Sequence, residues 1–375
     1  MVVIGAGVMG SATALTLGER GVDTILLEQF ELGHARGSSH GPVRIFRVAY
    51  PDPTYVRMAQ RAHELWRRLE EAAGEELLVT TGGLDTGPVA EACHQALAHC
   101  GVHHERLSAA EATARFPQIS FEGLDPIVFQ QEAGVTRAGR AVAAQTRLAG
   151  AAGVEVRAST AVEAIMPLDD AVEVRTGTST ILARAAVVTA GSWAGPLLAR
   201  AGYRPSLQPV LQTVSYFRAA GPGGEDIPTF IEWGAPEPNL VWYALGPADE
   251  APGVKVGAHM GGRPVDPADG PFAADPDLAR AQADYVRRRF PGLEPEPAHT
   301  ETCLYTMTPD EYFVLDRIGP VVIGAGFSGH GFKFGPLIGE ILADLAQGRE
   351  ERVDLTPFRL GRPALAGAIP GKASG

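Results

Sequence analysis

A glycine-rich turn between two apolar segments at the start of the chain constrains the fold most. The sequence opens with MVVIGAGVMGSATALTLGERGVDTILLEQF, in which Gly5, Gly7 and Gly10 lead from an apolar run into a helical segment. A second apolar run, TILLE, ends in Glu28, eighteen residues after the last of these glycines. Strand, glycine turn, helix and strand in this order, with an acid at this distance, predict a dinucleotide-binding βαβ unit.

Each of these residues has an expected task. Gly5 permits the tight turn, Gly7 lets the backbone approach a pyrophosphate at the helix N-terminus, and Gly10 lets helix and strand touch. Glu28 is expected to accept hydrogen bonds from a ribose hydroxyl. Because an acid at this place disfavours a 2'-phosphate, NADP is not expected. The alternative is a glycine-rich turn that binds no ligand.

Two further segments repeat the order of strand, glycine turn and helix. They are ARAAVVTAGSWAGPLLAR, around Gly191, and PVVIGAGFSGHGFKFGPLIGEILADLAQG, near the end of the chain. Residues 205–262 are instead rich in aromatic and β-branched residues between Gly and Pro turns, which is typical of an antiparallel sheet.

This interleaving predicts a mixed α/β fold, in which a discontinuous Rossmann-like nucleotide-binding domain carries an inserted antiparallel-sheet domain. Flavoprotein oxidases of the two-domain kind are built in this way. The expected FAD-binding domain comprises residues 1–80, 135–204 and 308–375, and the expected substrate domain comprises residues 81–134 and 205–307.

Two helices carry clear start signals. Asp52 is expected to cap a helix that begins at Pro53, and Asp275 is expected to cap one that runs from Pro276 through Arg289. Apolar residues at helical spacing predict the buried face of the first helix. These residues are Tyr55, Met58, Ala62, Leu65, Trp66 and Leu69.

Composition narrows the classes of partner. The 375 residues carry a formal net charge of −12, which argues against a nucleic-acid or anionic-membrane surface, because counterion release rewards basic faces. No apolar run is long enough to span a membrane, and no basic region precedes the first apolar segment. We therefore expect a soluble, cytoplasmic protein that contacts neither membrane nor nucleic acid.

Three cysteines cannot form a disulfide framework and are expected to be reduced. The segment EACHQALAHCGVHHE places two of them among four histidines, which allows a metal site as one interpretation. In the favoured interpretation the segment is an amphipathic helix whose buried stripe is Cys93, Leu97 and Cys100. No metal is expected.

Three stretches combine cationic or imidazole side chains with glycines: GSSHGPVRIFRVAY (His40, Arg44, Arg47), GVKVGAH (Lys255, His259) and GFSGHGFKFG (His330, Lys333). In a strand, Lys255, Gly257 and His259 share one face. A lysine inside an apolar strand is rarely buried without a partner or a task, although an edge-strand lysine that reaches solvent is the alternative. The glycines of the last stretch favour a flat or anionic group against backbone amides, or else a turn packed under the sheet.

These motifs resemble the monomeric sarcosine oxidase family, within the D-amino-acid-oxidase-like flavoenzymes. The resemblance covers nearly the whole chain, in the order GAGVMG, GSSHGPVRIFRVAY, VVTAGSW, VKVGAH, TCLYTMTPDE and GFSGHGFKF. It implies FAD as the cofactor and a thioether bond from Cys303 to a flavin methyl group. The FAD-binding residues implied are Gly5, Gly7, Gly10, Glu28, Ser38, His40, Gly191, Cys303, Gly329, Gly331 and Lys333.

The same resemblance implies residues on the substrate side. Arg47 and Lys333 are implied as a clamp for a substrate carboxylate, which explains how an acidic protein recruits an amino acid. Lys255, with Arg44 nearby, is implied to stabilise charge as reduced flavin reacts with oxygen. The remaining implied site residues are Tyr243 in the substrate pocket, His259 in the active site, and His330 and Tyr305 around them.

The implied reaction is oxidation of a secondary amino acid: the neutral amine delivers a hydride equivalent to flavin, an imine forms, and O2 becomes H2O2. A monomer is expected. Ser39, Pro42, Val43 and Ala258 depart from side chains common in the family. A bulkier N-methyl amino acid, or a cyclic imino acid such as pipecolate or proline, is therefore as compatible as sarcosine. A flavin dehydrogenase with a quinone or protein acceptor, and a flavin-binding protein without turnover, are the alternatives.

Overall fold

The computed structural model describes residues 1–234, 240–248, 251–350 and 353–366. The strands are β1 (Val2–Ile4), β2 (Ile25–Leu27), β3 (Val43–Phe46), β4 (Leu78–Thr80), β5 (Gly83–Thr86), β6 (Glu105–Leu107), β7 (Ile127–Gln130), β8 (Gly134–Arg137), β9 (Glu155–Arg157), β10 (Val162–Pro167), β11 (Val172–Thr176), β12 (Thr180–Ala183), β13 (Ala186–Val188), β14 (Gln208–Phe217), β15 (Thr229–Trp233), β16 (Val241–Leu245), β17 (Val254–His259), β18 (Arg263–Pro264), β19 (His299–Met307), β20 (Val314–Ile318) and β21 (Val321–Ala325). The α-helices are α1 (Val8–Glu19), α2 (Pro53–Ala73), α3 (Pro88–His99), α4 (Ala109–Arg115), α5 (Ala138–Ala151), α6 (Ala194–Arg200), α7 (Pro276–Arg289), α8 (Gly335–Gln347) and α9 (Pro363–Ala366).

The first βαβ unit forms as its sequence predicts, and it lies at the centre of a six-stranded sheet. The strand order is β20-β21-β13-β1-β2-β9, and β20 runs antiparallel to an otherwise parallel set. Val3 lies opposite Leu26 on one side and Val187 on the other. Because parallel strands end at one edge, the glycine turns after β1, β13 and β21 lie together with the end of β2.

A nine-stranded sheet comes mostly from the middle of the chain. Its order is β18-β14-β17-β16-β15-β5-β7-β6, with β19 also paired to β14. The run β14, β17, β16 and β15 is antiparallel, as predicted for residues 205–262, whereas β15 and β5 are parallel. Since β17 lies between two strands, the edge-strand alternative for Lys255 is wrong. β19 follows β14 over its length and places Cys303 opposite Gln212.

Two three-stranded sheets, β3-β8-β4 and β10-β11-β12, complete the strands. The predicted fold class is confirmed: a mixed α/β chain whose parallel nucleotide-type sheet is assembled from distant segments beside a mostly antiparallel one. The domain boundaries stay a prediction. Residues 235–239, 249–250, 351–352 and 367–375 of those segments lie outside the described residues.

Both predicted helix starts are confirmed. Asp52 accepts a hydrogen bond from the Thr54 amide at 2.7 Å, and all six residues of the predicted face of α2 are buried. Asp275 accepts hydrogen bonds from the amides of Asp277 and Leu278 at the start of α7. Across the described ranges, the helices lack the combination of length and apolar character that crossing a bilayer requires.

The cysteine-rich segment forms α3 and the turn after it. Cys93 and Leu97 are fully buried, and Cys100 is half-buried where the helix ends. His94 and His104 form a ring-to-ring hydrogen bond of 2.8 Å. In the part of the chain that the structure describes, no group of three or more His, Cys, Asp or Glu side chains is arranged to hold a metal ion.

Candidate active site

A cavity of about 1650 Å³ opens at the edge of the six-stranded sheet and extends over the face of the nine-stranded sheet. Of the expected cofactor- and substrate-site residues, Gly10 lies behind the cavity wall and all the others line it. Those lining residues are Gly5, Gly7, Glu28, Ser38, His40, Arg44, Arg47, Gly191, Tyr243, Lys255, His259, Cys303, Tyr305, Gly329, His330, Gly331 and Lys333. The fold therefore brings together residues that are up to about 330 positions apart in the chain.

The end of the cavity nearest β1 has the features of a nucleotide cradle. A Cβ on Gly10 would lie 1.8 Å from the carbonyl oxygen of Gly5, so this position requires glycine. Gly5 has φ +99°, and a Cβ there would lie 2.6 Å from the carbonyl oxygen of Thr189. These contacts let α1 start directly against the sheet, with Gly7 on the cavity surface.

Glu28 lies at the end of β2, beside this turn. One carboxylate oxygen accepts the amide of Ala6 at 2.8 Å, and the other accepts the amide of Phe30 at 3.1 Å and lies 3.3 Å from Nε2 of His34. Burial alone would raise the pKa of Glu28, but the hydrogen bonds from His34, Ala6 and Phe30 outweigh burial and lower it. A carboxylate that stays ionised here is suited to accept hydrogen bonds from a ribose.

The central part of the cavity holds Lys255 and its surroundings. Lys255 is 4% exposed, and its Nζ lies 3.4 Å from Oε1 of Glu301, which also accepts a 2.7 Å hydrogen bond from the Tyr216 hydroxyl. Burial, followed by the charge of Arg44, lowers the pKa of Lys255 to about 8, although Glu301 opposes this shift. Burial and Arg44 likewise lower the pKa of His40 to about 4.

Arg44 ties the loop before β3 to the strand that carries Cys303. Its guanidinium donates to the carbonyl oxygens of Ser38, His40 and Val43 at 2.7–2.9 Å, and Nη2 lies 3.9 Å from Sγ of Cys303. The Ser38 hydroxyl donates to the carbonyl oxygen of Leu304 at 2.5 Å. The buried thiol therefore lies on the cavity wall beside a positive charge.

Arg47 and Asp85 form a buried ion pair of 3.2 Å. Asp85 also accepts hydrogen bonds from Gln130 at 2.9 Å and Trp233 at 3.1 Å, and Arg47 donates to the carbonyl oxygen of Ala49. Burial would lower the pKa of Arg47, but Asp85, Tyr50 and Cys93 together outweigh burial and raise it. The guanidinium is thus held in a set position at the cavity wall.

Lys333 lies near the Arg47–Asp85 pair, but its hydrogen bonds go to neutral groups. Its Nζ donates to the Tyr50 hydroxyl at 2.9 Å and to the carbonyl oxygen of His330 at 2.7 Å. Among the described residues, no carboxylate lies within salt-bridge distance of Lys333. Burial and the charge of Arg47 hold the pKa of Lys333 well below its ordinary value. The site therefore offers a buried amine that would gain from the arrival of an anion.

Two tyrosines and a histidine complete the wall. Tyr243 and Tyr305 interact through their side chains, and the ring of His259 lies 5.5 Å from that of Tyr305. His259 Nε2 lies 3.5 Å from a carboxylate oxygen of Glu311. A Cβ on Gly329 would lie 2.3 Å from the Tyr305 ring, so this glycine makes room for a wall side chain as well as lining the cavity itself.

The residues present fit the FAD that the resemblance implies. The glycine cradle and Glu28 suit its nucleotide portion, and the cationic cavity suits a flavin ring that becomes negative when reduced. In addition, Nε2 of His40 is buried and has no hydrogen-bond partner among the described residues, so it is available to a bound group.

Several residues of the site are not evident from the sequence. Asp85, Gln130 and Tyr216 are ordinary members of strands, and no motif marks them. The sequence did contain an indication for Glu301. It is two residues before Cys303 in β19, and alternate residues of a strand face the same side of the sheet. Ala258, one of the departures noted in the sequence, packs in a hydrophobic core and does not line the cavity.

Comparison with known proteins supports the resemblance. A sequence model of the family described as DAO, FAD dependent oxidoreductase, matches residues 1–345. Peroxisomal sarcosine oxidase of Homo sapiens is 37% identical over 383 residues, which covers 98% of this chain and 97% of the relative. Monomeric sarcosine oxidase of Bacillus sp. (strain NS-129) is 33% identical over 380 residues, which covers 97% of each.

A solved structure extends the comparison to the fold. The open form of NikD, described as an unusual amino acid oxidase essential for nikkomycin biosynthesis, superposes with a TM-score of 0.84. The two sequences are 27% identical, and the match covers 96% of each chain.

Proposed function

Since the chain belongs to the DAO family of FAD-dependent oxidoreductases, we propose that it is an oxidase of a secondary amino acid that forms an imine and reduces O2 to H2O2. One observation carries the proposal: Arg47, Lys255 and Lys333 line a single cavity despite their distance in sequence. Three cationic side chains around one cavity in an acidic protein suit an anionic substrate and a reaction that develops negative charge.

In this proposal Arg47 and Lys333 bind the substrate carboxylate. Asp85 holds Arg47 in place. Lys333 donates hydrogen bonds to the Tyr50 hydroxyl and the His330 carbonyl oxygen, and no described carboxylate pairs with it, so the substrate carboxylate supplies the negative charge that it lacks. The cationic wall also disfavours an ammonium group, because like charges repel. The bound substrate is therefore the neutral amine, and no strong catalytic base is required.

FAD, when bound, supplies the acceptor for the two electrons that leave the carbon beside nitrogen. Gly5, Gly7 and Glu28 would hold its nucleotide portion, and His40 and Cys303 would contact its ring. We propose that Cys303 is bonded covalently to it, because the thiol lies on the cavity wall beside Arg44. Lys255 keeps a positive charge next to the place where oxygen is reduced.

For the substrate we propose an N-methyl amino acid or a cyclic imino acid. Apolar and aromatic side chains of β15 and β16, namely Ile231, Trp233, Val241 and Tyr243, line the cavity near the carboxylate clamp. Such a wall suits a substrate whose nitrogen and side chain carry carbon groups. The name of the relative from Bacillus also supports the expectation that this chain acts as a monomer.

An anaerobic screen tests the proposal. The FAD-loaded protein is mixed with sarcosine, bulkier N-methyl amino acids and cyclic imino acids, and bleaching of the flavin absorbance is followed. We expect at least one to bleach it, faster as pH rises toward the substrate amine pKa, and to release one H2O2 per amine in air. Bleaching without H2O2 would indicate a dehydrogenase, and no bleaching by any amine would indicate a flavin-binding protein without turnover.

A further inference from the structure

Glu301 connects the large cavity with a second, smaller cleft on the surface. Lys255 lines the large cavity, whereas Glu301 lines the cleft together with Pro42, Tyr216 and His299. The two side chains meet at 3.4 Å, between Nζ of Lys255 and Oε1 of Glu301. The lysine side chain is 5% exposed and the glutamate side chain 20% exposed. The ion pair therefore forms part of the wall between the two spaces.

If the proposed oxidase function holds, the Lys255–Glu301 pair can take part in the reduction of oxygen. One O2 accepts two electrons and two protons to become H2O2, and oxidation of the amine to an imine releases the same numbers. Lys255 can give one proton to the reduced oxygen, but it is then neutral and must regain a proton before the next turnover. The substrate nitrogen loses one proton to solvent and Lys255 regains one proton from solvent, so the protons balance over one turnover.

We propose that Glu301 is the route by which this proton returns: its carboxylate takes a proton from water in the surface cleft and passes it to Lys255. In each transfer an O–H or N–H bond breaks as the next one forms, and no electrons move along the route. Glu301 lines the surface cleft and is not among the residues that line the large cavity. It therefore acts on the reaction through Lys255, as a positioning and proton-transfer residue.

Glu301 is a carboxylate that contacts Lys255 and also lines the surface cleft, where His299 and Arg140 are its titratable or charged neighbours. The titratable or charged side chains that act on Lys255 or Glu301 come from the loop before β3 and from β3, β14, β16 and β19. They are His40, Arg44, Tyr216, Tyr243 and Cys303. Burial raises the pKa values of the tyrosines, so they do not lose protons readily near neutral pH. Burial would also raise the pKa of Glu301, but the charge of Lys255 and the Tyr216 hydrogen bond outweigh it and lower this pKa, so Glu301 is a carboxylate at rest and holds the proton only during transfer. Tyr216 instead holds Oε1 of Glu301 in place.

The test uses the FAD-loaded Glu301→Gln variant, with Glu296→Gln as the control. Glu296 is an exposed acid that pairs with Arg287, so its replacement removes the same charge away from both spaces. The enzyme is reduced by light, which requires no amine, and its reoxidation by O2 is followed in repeated cycles. We expect Glu301→Gln to slow reoxidation about 10- to 100-fold in cycles after the first. We expect added formate to restore the rate through the open cleft, and Glu296→Gln to have no effect.

A second measurement does not depend on turnover. Competitive acetylation of Lys255, read by mass spectrometry across pH, reports the pKa of its amine, which should fall in Glu301→Gln because Glu301 opposes the effect of burial. Glu301→Asp should restore the pKa of the Lys255 amine in part. It replaces Glu301→Gln in the test if the glutamine variant folds poorly. An unchanged reoxidation rate, a slowed rate that formate does not restore, or an unchanged Lys255 pKa would each overturn the proposal. Failure of every amine to bleach the flavin would instead count against the oxidase function alone.

Discussion

Arg47 and Asp85 form an ion pair whose side chains are 8% and 1% exposed, with Nη1 and Oδ1 3.2 Å apart. Both charges are thus removed from water at the wall of the cavity, and the hydrogen bonds to Asp85 from Gln130 and Trp233 replace part of its hydration. The pair matters for substrate recognition. Arg47 presents a guanidinium in a fixed position to a substrate carboxylate, whereas Lys333 presents a buried amine that forms no ion pair with a described acid and that an incoming carboxylate would stabilise in its charged form.

Replacing Asp85 should therefore destabilise the protein, because Arg47 would be left buried without its partner. For Asp85→Asn we expect a loss of about 3 kcal/mol in the free energy of unfolding, measured by urea titration. Asp284→Asn is the matched control, since Asp284 pairs with Arg287 on the surface, and we expect a change within about 0.5 kcal/mol. Equal urea midpoints for Asp85→Asn and the unaltered protein would contradict this account of the pair.

Lys333 should affect substrate binding much more than stability. For Lys333→Met we expect KM for an amino acid substrate to rise about 10- to 100-fold, because a charged hydrogen bond to the carboxylate is lost. The urea midpoint should stay the same or rise, since a buried amine without an acidic partner is replaced by an apolar side chain. A decarboxylated amine of the same skeleton is the control, and its KM should not change. A KM for the amino acid equal to that of the unaltered enzyme would remove Lys333 from the clamp.

The lowered pKa of Lys255 predicts the pH dependence of the oxygen reaction. Below a pKa of about 8 the side chain is charged, and above it the charge is lost, so reoxidation of the reduced enzyme should slow as pH rises through this value. Stopped-flow measurement of the reoxidation rate from about pH 6 to about pH 10 tests this dependence. Lys255→Met should be slower by about 100-fold and should lack this dependence. A rate in the unaltered enzyme that does not change across this range would argue against the proposed role.

Covalent attachment at Cys303 can be tested by colour. Acid-precipitated protein should remain yellow, and Cys303→Ser should precipitate colourless while keeping its fold, with a change of about 1 kcal/mol or less in stability. Cys100→Ser is the control, because Cys100 does not line the cavity, and its precipitate should stay yellow. Yellow precipitate from Cys303→Ser would mean that the flavin is attached elsewhere.

Much of this molecule follows from its sequence. The order of apolar run, glycines, helix and acid in the first thirty residues is a local pattern, and it predicted the βαβ unit with Gly5, Gly7, Gly10 and Glu28 where the structure has them. The starts of α2 and α7 were equally predictable, because a capping carboxylate and a proline act within one turn of helix.

The partners of the site residues were decided by the tertiary structure alone. Asp85 meets Arg47 because β5 joins the nine-stranded sheet beside β15, and Glu301 meets Lys255 because β19 and β17 lie on either side of β14. Such pairings depend on strand order and register, which are set by how whole sheets bury their faces, and no short stretch of sequence records them. Local chemistry therefore identified the charged groups, whereas only the packed sheets determined which of them are neutralised and which remain available.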